Sequence, residues 1–311
     1  MVDLKIQLPD DFLEEEVRCG YLVSKKMKEV WAVELDLLAE FDRVCKKHGI
    51  KYFASGGTML GAVRHKGFIP WDDDIDLMMM RDDYTNLCNI AEKEFRHPFF
   101  FQTNKTDFGS IHGYARLRNS MTTGILTKYS GLKTNQGIFI DIFPLDVVVD
   151  DDDAFKKQGD LAQKYKERAY FFSGFVPSTF YSGKNMYLTI AKRIIGHILS
   201  PLFVELSNYN DCKFEKTCQR YNYMKDSQRI STLSFMFNEI QHIKYSTDYK
   251  DLIDMDFEFL KIPVGKEYDH ALQVRYGNYM EYVRGGSIHG DIFFDTDHSY
   301  LDYINNKFSM N

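Results

Sequence analysis

Asp74 and Asp76 stand two residues apart where an acidic segment, Trp71-Asp72-Asp73-Asp74, runs into an apolar one, Ile75-Asp76-Leu77-Met78-Met79-Met80. In an extended chain alternate side chains point to opposite faces, so these two carboxylates are expected on one face of a strand. Neighbouring like charges repel and lose hydration there unless a cation lies between them. Hard divalent cations take oxygen ligands and bridge carboxylates to substrate phosphates, so the pair points to Mg²⁺ or Mn²⁺. A solvated acidic loop is the competing reading. It accounts for Asp72 and Asp73 but fits Asp76 poorly, because that residue sits inside the apolar run.

A second acid interrupts an apolar run in Gly137-Ile138-Phe139-Ile140-Asp141-Ile142-Phe143-Pro144-Leu145-Asp146. Asp141 needs a partner in such surroundings, and the same metal cluster is the economical one; a local hydrogen bond to a turn is the alternative. Asp146, beyond Pro144, reads as a turn residue. Between the acidic strands, Tyr114-Ala115-Arg116-Leu117-Arg118-Asn119 puts Arg116 and Arg118 on one strand face. Their planar forks of donors suit phosphate oxygens, and surface charge on an edge strand is the other reading.

Elements must hold these groups in place. Apolar residues recur at Val30, Val33, Leu37, Phe41, Val44 and Cys45, the 3.6-residue period of an amphipathic helix, which Lys46, Lys47, His48 and Gly49 bring to a close. This helix reads as scaffold. Next, Ile50-Lys51-Tyr52-Phe53-Ala54 reads as a strand, Ser55-Gly56-Gly57-Thr58 as a turn, and Met59 to Lys66 as a helix capped by Thr58. Gly67 is the expected left-handed stop, with Pro70 beyond it. Strand, glycine turn and helix N-terminus together present backbone N–H groups and a positive dipole end, so Gly56, Gly57 and Thr58 are candidate phosphate ligands. A merely tight turn is the plainer explanation of the glycine pair taken alone.

Composition narrows the class. The chain has 311 residues, 44% hydrophobic, with 25 Phe, 20 Tyr and only 7 Pro, which suits a packed globular protein and disfavours disorder. A net charge of −6 gives no electrostatic footprint for nucleic acid. Cys19, Cys45, Cys88, Cys212 and Cys218 are scattered, with no CxxC pair, which fits a reduced cytoplasmic setting. The first residues lack the basic and unbroken apolar regions of a signal peptide. The segment from Tyr187 to Leu199 is helical, apolar and basic. A core helix with snorkelling Lys192 and Arg193 is the preferred reading, and a helix lying on an anionic membrane the alternative. His289, near the C-terminal glycines, is either a substrate contact or a surface histidine.

The run from Gly56-Gly57-Thr58-Met59-Leu60-Gly61 through Trp71-Asp72-Asp73-Asp74-Ile75-Asp76 closely resembles the LicD family of the nucleotidyltransferase superfamily, whose pattern is a GG or GS turn, a D-x-D strand and a later acidic strand. The likeness continues in Arg116-Leu117-Arg118-Asn119, in Ile140-Asp141-Ile142-Phe143-Pro144, and in a tail with Phe257-Glu258-Phe259, Tyr268-Asp269 and Tyr276-Gly277-Asn278-Tyr279-Met280. It spans about residues 27 to 290. The resemblance implies an α/β (α+β) fold, a nucleotidyltransferase-like mixed sheet flanked by helices. It implies one domain over residues 1–311, with the catalytic core in 27–150 and a mostly helical accessory part in 151–311.

The resemblance further implies transfer of a phospho-alcohol group to a sugar of a bacterial cell-surface glycan, with release of CMP. The donor expected is a CDP-alcohol, CDP-choline first, and the acceptor a glycan or lipid-linked glycan. Two Mg²⁺ or Mn²⁺ ions would be held by Asp74, Asp76 and Asp141, with phosphates on Gly56, Gly57 and Thr58 and charge neutralised by Arg116 or Arg118. A cytoplasmic protein, with peripheral contact at the inner membrane face, follows from such an acceptor. The family commonly has Asp where Asn278 stands and a proline-rich continuation where Tyr282-Val283-Arg284-Gly285-Gly286 stands, which touches the alcohol or acceptor more than the chemistry. Two other classes remain open: a true nucleotidyltransferase attaching NMP, and a non-catalytic binding protein that keeps the fold.

Overall fold

The computed structural model describes residues 1–179, 186–224, 226–234, 239–283 and 292–305. A short hairpin of β1 (Glu16–Arg18) and β2 (Tyr21–Val23) leads into α1 (Lys25–His48). Ser24 starts that helix by accepting a hydrogen bond from the Met27 N–H, and Gly49, at φ 65°, ends it. There follow β3 (Phe53–Ala54), α2 (Gly56–His65), β4 (Asp76–Met80), α3 (Arg81–Glu94), β5 (Phe99–Gln102), β6 (Ala115–Asn119), β7 (Thr123–Leu126) and β8 (Ile138–Val147).

The second half opens with two long helices, α4 (Asp152–Ser173) and α5 (Met186–Cys218), the latter kinked at Leu199 just before Pro201. After them come β9 (Arg229–Ser231), β10 (Lys244–Tyr245), β11 (Leu252–Phe257), β12 (Leu260–Gly265), α6 (Tyr268–Tyr276), β13 (Ile292–Asp295) and α7 (Tyr300–Ile304). The two long helices of the second half end at Cys218. Beyond it, short strands return to the core: β9 and β10 join the main sheet, β13 pairs with β7, and β11 pairs with β12.

The fold is mixed α/β, and β8 is the hub of its seven-stranded mixed sheet. Its residues from Ile138 to Asp146 are all buried, as a strand covered on both faces requires. It pairs parallel with β4 and antiparallel with β6 and β9. Helix α1 lies against β8 and β6, while α3 packs on β4 and β8. Trp31, Leu35, Leu37, Leu38 and Phe41 fill the space beneath α1 with almost no exposure.

Several local expectations shift. The strand foreseen from Ile50 to Ala54 contracts to Phe53–Ala54. Helix α2 begins at Gly56 with Ser55 as cap residue, so Thr58 lies inside its first turn rather than before it. Lys66, not Gly67, takes the left-handed conformation, at φ 57°. Gly67 is small for another reason: a side chain there would collide with the Glu258 carboxylate. Strand β6 is interior, flanked by β5 and β8, so Arg116 and Arg118 are not edge charges. Asp146 is a buried residue of β8, not a turn residue. Finally, α5 is not a core helix near its start, because Ile194 and Ile198 are 58% and 72% exposed.

Candidate active site

Register, more than proximity in sequence, assembles the site. Asp76, the first residue of β4, pairs directly with Asp141 of β8, and Asp141 in turn pairs with Arg116 of β6. Three adjacent strands therefore place Asp76, Asp141 and Arg116 in one row, at steps of about 4.8 Å. Asp74 lies just before β4, in the segment that carries Asp72 and Asp73. Carboxylate oxygens of Asp72, Asp73 and Asp74 lie within 4.8 Å of one another. Asp72 and Asp73, first read as a solvated loop, are only partly exposed members of the acidic group.

The glycine turn is fastened to this row. The Asp76 N–H donates to the Thr58 hydroxyl (2.8 Å) and the Ser55 N–H to the Asp76 carbonyl (3.0 Å), so β4 begins where α2 begins. Gly56 has φ 54°, a conformation that disfavours any side chain. A Cβ on Gly57 would lie 2.6 Å from Asp72 Oδ2. Both glycines thus let the helix N-terminus approach the acids.

A further acid arrives from α1. Glu34 is buried, and its Oε2 has no hydrogen-bond partner among the described residues. Burial, then the charges of Asp74, Asp73 and Asp72, push its carboxyl well above the usual range. Burial, with Asp74 and Asp141, does the same to Asp76, whose buried Oδ1 likewise has no partner among the described residues. Asp72 is pushed up to about 9 by burial and by Asp74. Helix α1 is therefore more than scaffold. The signal was an acid between Val33 and Leu35 in a helix apolar on most of its circumference.

The two arginines differ. Arg116 Nε donates to Asp141 Oδ1 (2.7 Å) and its Nη2 to the Tyr114 hydroxyl (3.0 Å), while Nη1 is buried without a hydrogen-bond partner among the described residues. Burial opposes its charge, but Asp141 more than compensates and holds the guanidinium protonated. Arg118 is buried too, and donates to Gln102 Oε1 (2.5 Å) and to the Gly137 carbonyl (2.6 Å). These bonds tie β5, β6 and the start of β8 together, so Arg118 clamps the strands. Burial and the neighbouring Arg116 lower it to about 9.

On the other side of the turn, Ser55 and Gly56 share a narrow pocket with His242, Lys244, Asp248 and Arg275. Lys244 is lowered to about 7 by burial and by Arg275. Arg275 bonds His242 Nδ1 (3.1 Å), its Nε is buried without a partner among the described residues, and its charge acts on Asp76. Tyr276 brings its hydroxyl against Gly56. These cations lie more than 100 residues from the acids in the chain and follow no local pattern, which is why sequence reading missed them. His289, Arg284, Gly285 and Gly286 fall outside the described residues.

Residues 49–181 match the family model described as LicD/FKTN/FKRP, nucleotidyltransferase domain. Over these residues the chain is similar to the LicD family. The match contains Gly56, Gly57, Thr58, Asp74, Asp76, Arg116 and Asp141, the whole row and its turn. The lipopolysaccharide cholinephosphotransferase LicD of Haemophilus influenzae is 28% identical over 262 residues, covering 82% of this chain and 91% of that protein. The ribitol 5-phosphate transferase FKRP of Homo sapiens is 44% identical over 51 residues, 16% of this chain and 10% of that protein. The LicD-like tail has a visible task as well: Glu258 of the Phe257-Glu258-Phe259 turn accepts from the Phe68 N–H (3.1 Å) and from Arg18 (2.5 and 2.8 Å), bracing the end of α2.

Proposed function

We propose that this protein transfers a phospho-alcohol group, phosphocholine first among the candidates, from a CDP-linked donor to a glycan, leaving CMP. The observation that carries the reading is the cross-strand row of Asp76, Asp141 and Arg116 beneath the Gly56–Gly57 turn. The names of the LicD and FKRP relatives, both alcohol-phosphate transferases, support the same chemistry.

A metal fits the residues present. Carboxylate oxygens are the donors that hard cations prefer, and the buried, unpartnered Asp76 Oδ1 and Glu34 Oε2 are atoms that a cation would satisfy. Asp74, Asp76 and Asp141 would hold Mg²⁺ or Mn²⁺, which supplies neutralisation of phosphate charge and eases deprotonation of a bound hydroxyl. The chain's own groups do the rest. Backbone N–H groups at the start of α2 receive a donor phosphate, and Lys244 and Arg275 offer cations beside them. Arg116 fixes the orientation of the Asp141 carboxylate. Asp141 takes the proton of the acceptor hydroxyl as its oxygen attacks the phosphorus bearing the alcohol, and the bond from that phosphorus to CMP breaks.

Incubation with a panel of CDP-alcohols and Mg²⁺ or Mn²⁺ tests this reading. CMP release, with an alcohol-phosphate mass added to the acceptor, is the expected outcome. Pyrophosphate release, or an added nucleotide mass, would replace the proposal with the nucleotidyltransferase reading.

A further inference from the structure

We infer that His112, Tyr114, Arg116, Lys128, Tyr129 and Lys166 form a second phosphate-binding subsite, at the Asp141 end of the acid row and apart from the Gly56–Gly57 turn. They come from separate elements yet make one chain of contacts. Arg116 Nη2 donates to the Tyr114 hydroxyl (3.0 Å), and the guanidinium lies 5.5 Å from the centre of that ring. The His112 ring stands 5.6 Å from that of Tyr114 and 5.2 Å from that of Tyr129, and Lys128 Nζ lies 5.0 Å from the Tyr129 ring. Lys166 of α4 joins through Ser234. Its Nζ donates to the Ser234 carbonyl, and a Cβ on Gly113, between His112 and Tyr114, would come within 3.2 Å of the Ser234 Cβ.

The group gathers cations. Burial, then the charges of Arg116, Arg118, Lys166 and Lys128, hold the His112 imidazole well below its usual range. Lys166 is lowered to about 8 by burial, with Lys128 and Arg116 adding to the effect. Like charges so placed repel and lose hydration, and an anion among them relieves both. Arg116 supplies the atom that points to a ligand. Its Nε and Nη2 are engaged by Asp141 and Tyr114, whereas Nη1 is buried without a hydrogen-bond partner among the described residues, in a residue only 1% exposed. A planar fork with a spare donor, lysine amines and tyrosine hydroxyls suit the oxygens of a phosphate. Lys128 is exposed, and Tyr114 and Tyr129 are partly so, which leaves the group open to solvent at that end.

Cations thus flank the acid row at both ends. Arg275 and Lys244 interact with Asp76 beside the glycine turn, and Arg116 and Lys128 interact with Asp141. The subsite does not depend on which group is transferred, because it rests on the cations and their contacts. The source of the phosphate does rest on the transfer reading. Asp141 there takes the proton of the acceptor hydroxyl, so a phosphate held beside it is the acceptor's own, and the acceptor class is a phosphorylated sugar. A second phosphate of the donor is the other source of the same chemistry.

Lysine acetylation of the full chain with N-hydroxysuccinimidyl acetate, without added metal and read residue by residue by mass spectrometry, tests it. Inorganic phosphate is expected to slow modification of Lys128 at least about threefold relative to sodium acetate at equal ionic strength, and to leave the exposed Lys46 and Lys261 unchanged. In a folded Lys166→Met protein this protection should fall at least about twofold. Should that variant not fold, the wild-type comparison is decisive by itself. Protection of Lys128 by glucose 6-phosphate and not by CDP-choline would assign the phosphate to the acceptor, and the opposite pattern would overturn that assignment in favour of the donor. Equal slowing by phosphate and acetate, equal slowing of Lys46 and Lys261, or undiminished protection in folded Lys166→Met would overturn the subsite itself. CMP release is read in none of these arms, so a failure here is distinct from a failure of the transfer reading.

Discussion

Strand β8 carries two buried aspartates five residues apart, and their surroundings are opposite in kind. Asp146 receives Arg81 through two hydrogen bonds (2.8 and 2.5 Å) and Asn222 through a third (2.7 Å), while Arg81 also reaches Glu215 (2.8 Å). Arg81 answers both carboxylates there. Asp141 pairs with Arg116 and stands among Asp72, Asp73, Asp74, Asp76 and Glu34. At one end of the strand the carboxylates share an arginine and serve the fold. At the other, acids crowd together and the buried Asp76 Oδ1 and Glu34 Oε2 lack partners among the described residues, the state of a site made to receive something.

The largest effects should separate these ends. Asp76→Asn or Asp74→Asn is expected to abolish transfer, by more than about 10³-fold, since each removes an oxygen ligand and no packing. Thermal unfolding of the metal-free variants should be unchanged or higher, because like-charge repulsion is relieved. Near-wild-type turnover in both would mean that these acids are only a solvated loop. Asp146→Ala is expected to do the reverse: it leaves Arg81 with Glu215 alone and should cost about 3–5 kcal/mol in denaturant unfolding, with transfer per folded molecule retained.

Arg116→Met sharpens the comparison. If Arg116 positions Asp141, transfer should fall about 10–100-fold with little change in donor KM. Arg118→Met should instead lower stability, because it leaves Gln102 and the Gly137 carbonyl without their donor. A smaller effect belongs to the cationic pocket. Lys244→Met is expected to raise the donor KM by about tenfold, a charge-assisted contact being worth roughly that much. The pH dependence has a defined sign. With Lys244 lowered to about 7, its positive charge is present below that pH and lost above it, so donor KM should rise as pH passes upward through about 7. Steady-state kinetics between pH 6 and 9 would show this rise in the wild type and not in the variant.

Much of this architecture was legible because local rules suffice for it. The end of α1 follows from Gly49, and β8 from an apolar run that only its acids interrupt. The face shared by Asp76 and Asp141 required register, which no single strand encodes. The exchange of roles between Gly67 and Lys66 depends on Glu258, nearly 200 residues away, and the fate of Arg118 depends on Gln102. Asp146 was misread because Pro144 suggests a strand end. In the structure Pro144 lies within β8, opposite Met79 of β4. Glu34, Lys244 and Arg275 come from elements whose patterns describe packing alone.

Manganese binding followed by electron paramagnetic resonance tests the contrast most directly, because it reads the acidic end of β8 without requiring the natural acceptor. The account predicts that wild-type protein and Asp146→Asn bind Mn²⁺, and that Asp76→Asn binds it at least about tenfold more weakly. Equal Mn²⁺ affinity in wild type and Asp76→Asn, or no Mn²⁺ binding by the folded wild type, would contradict it.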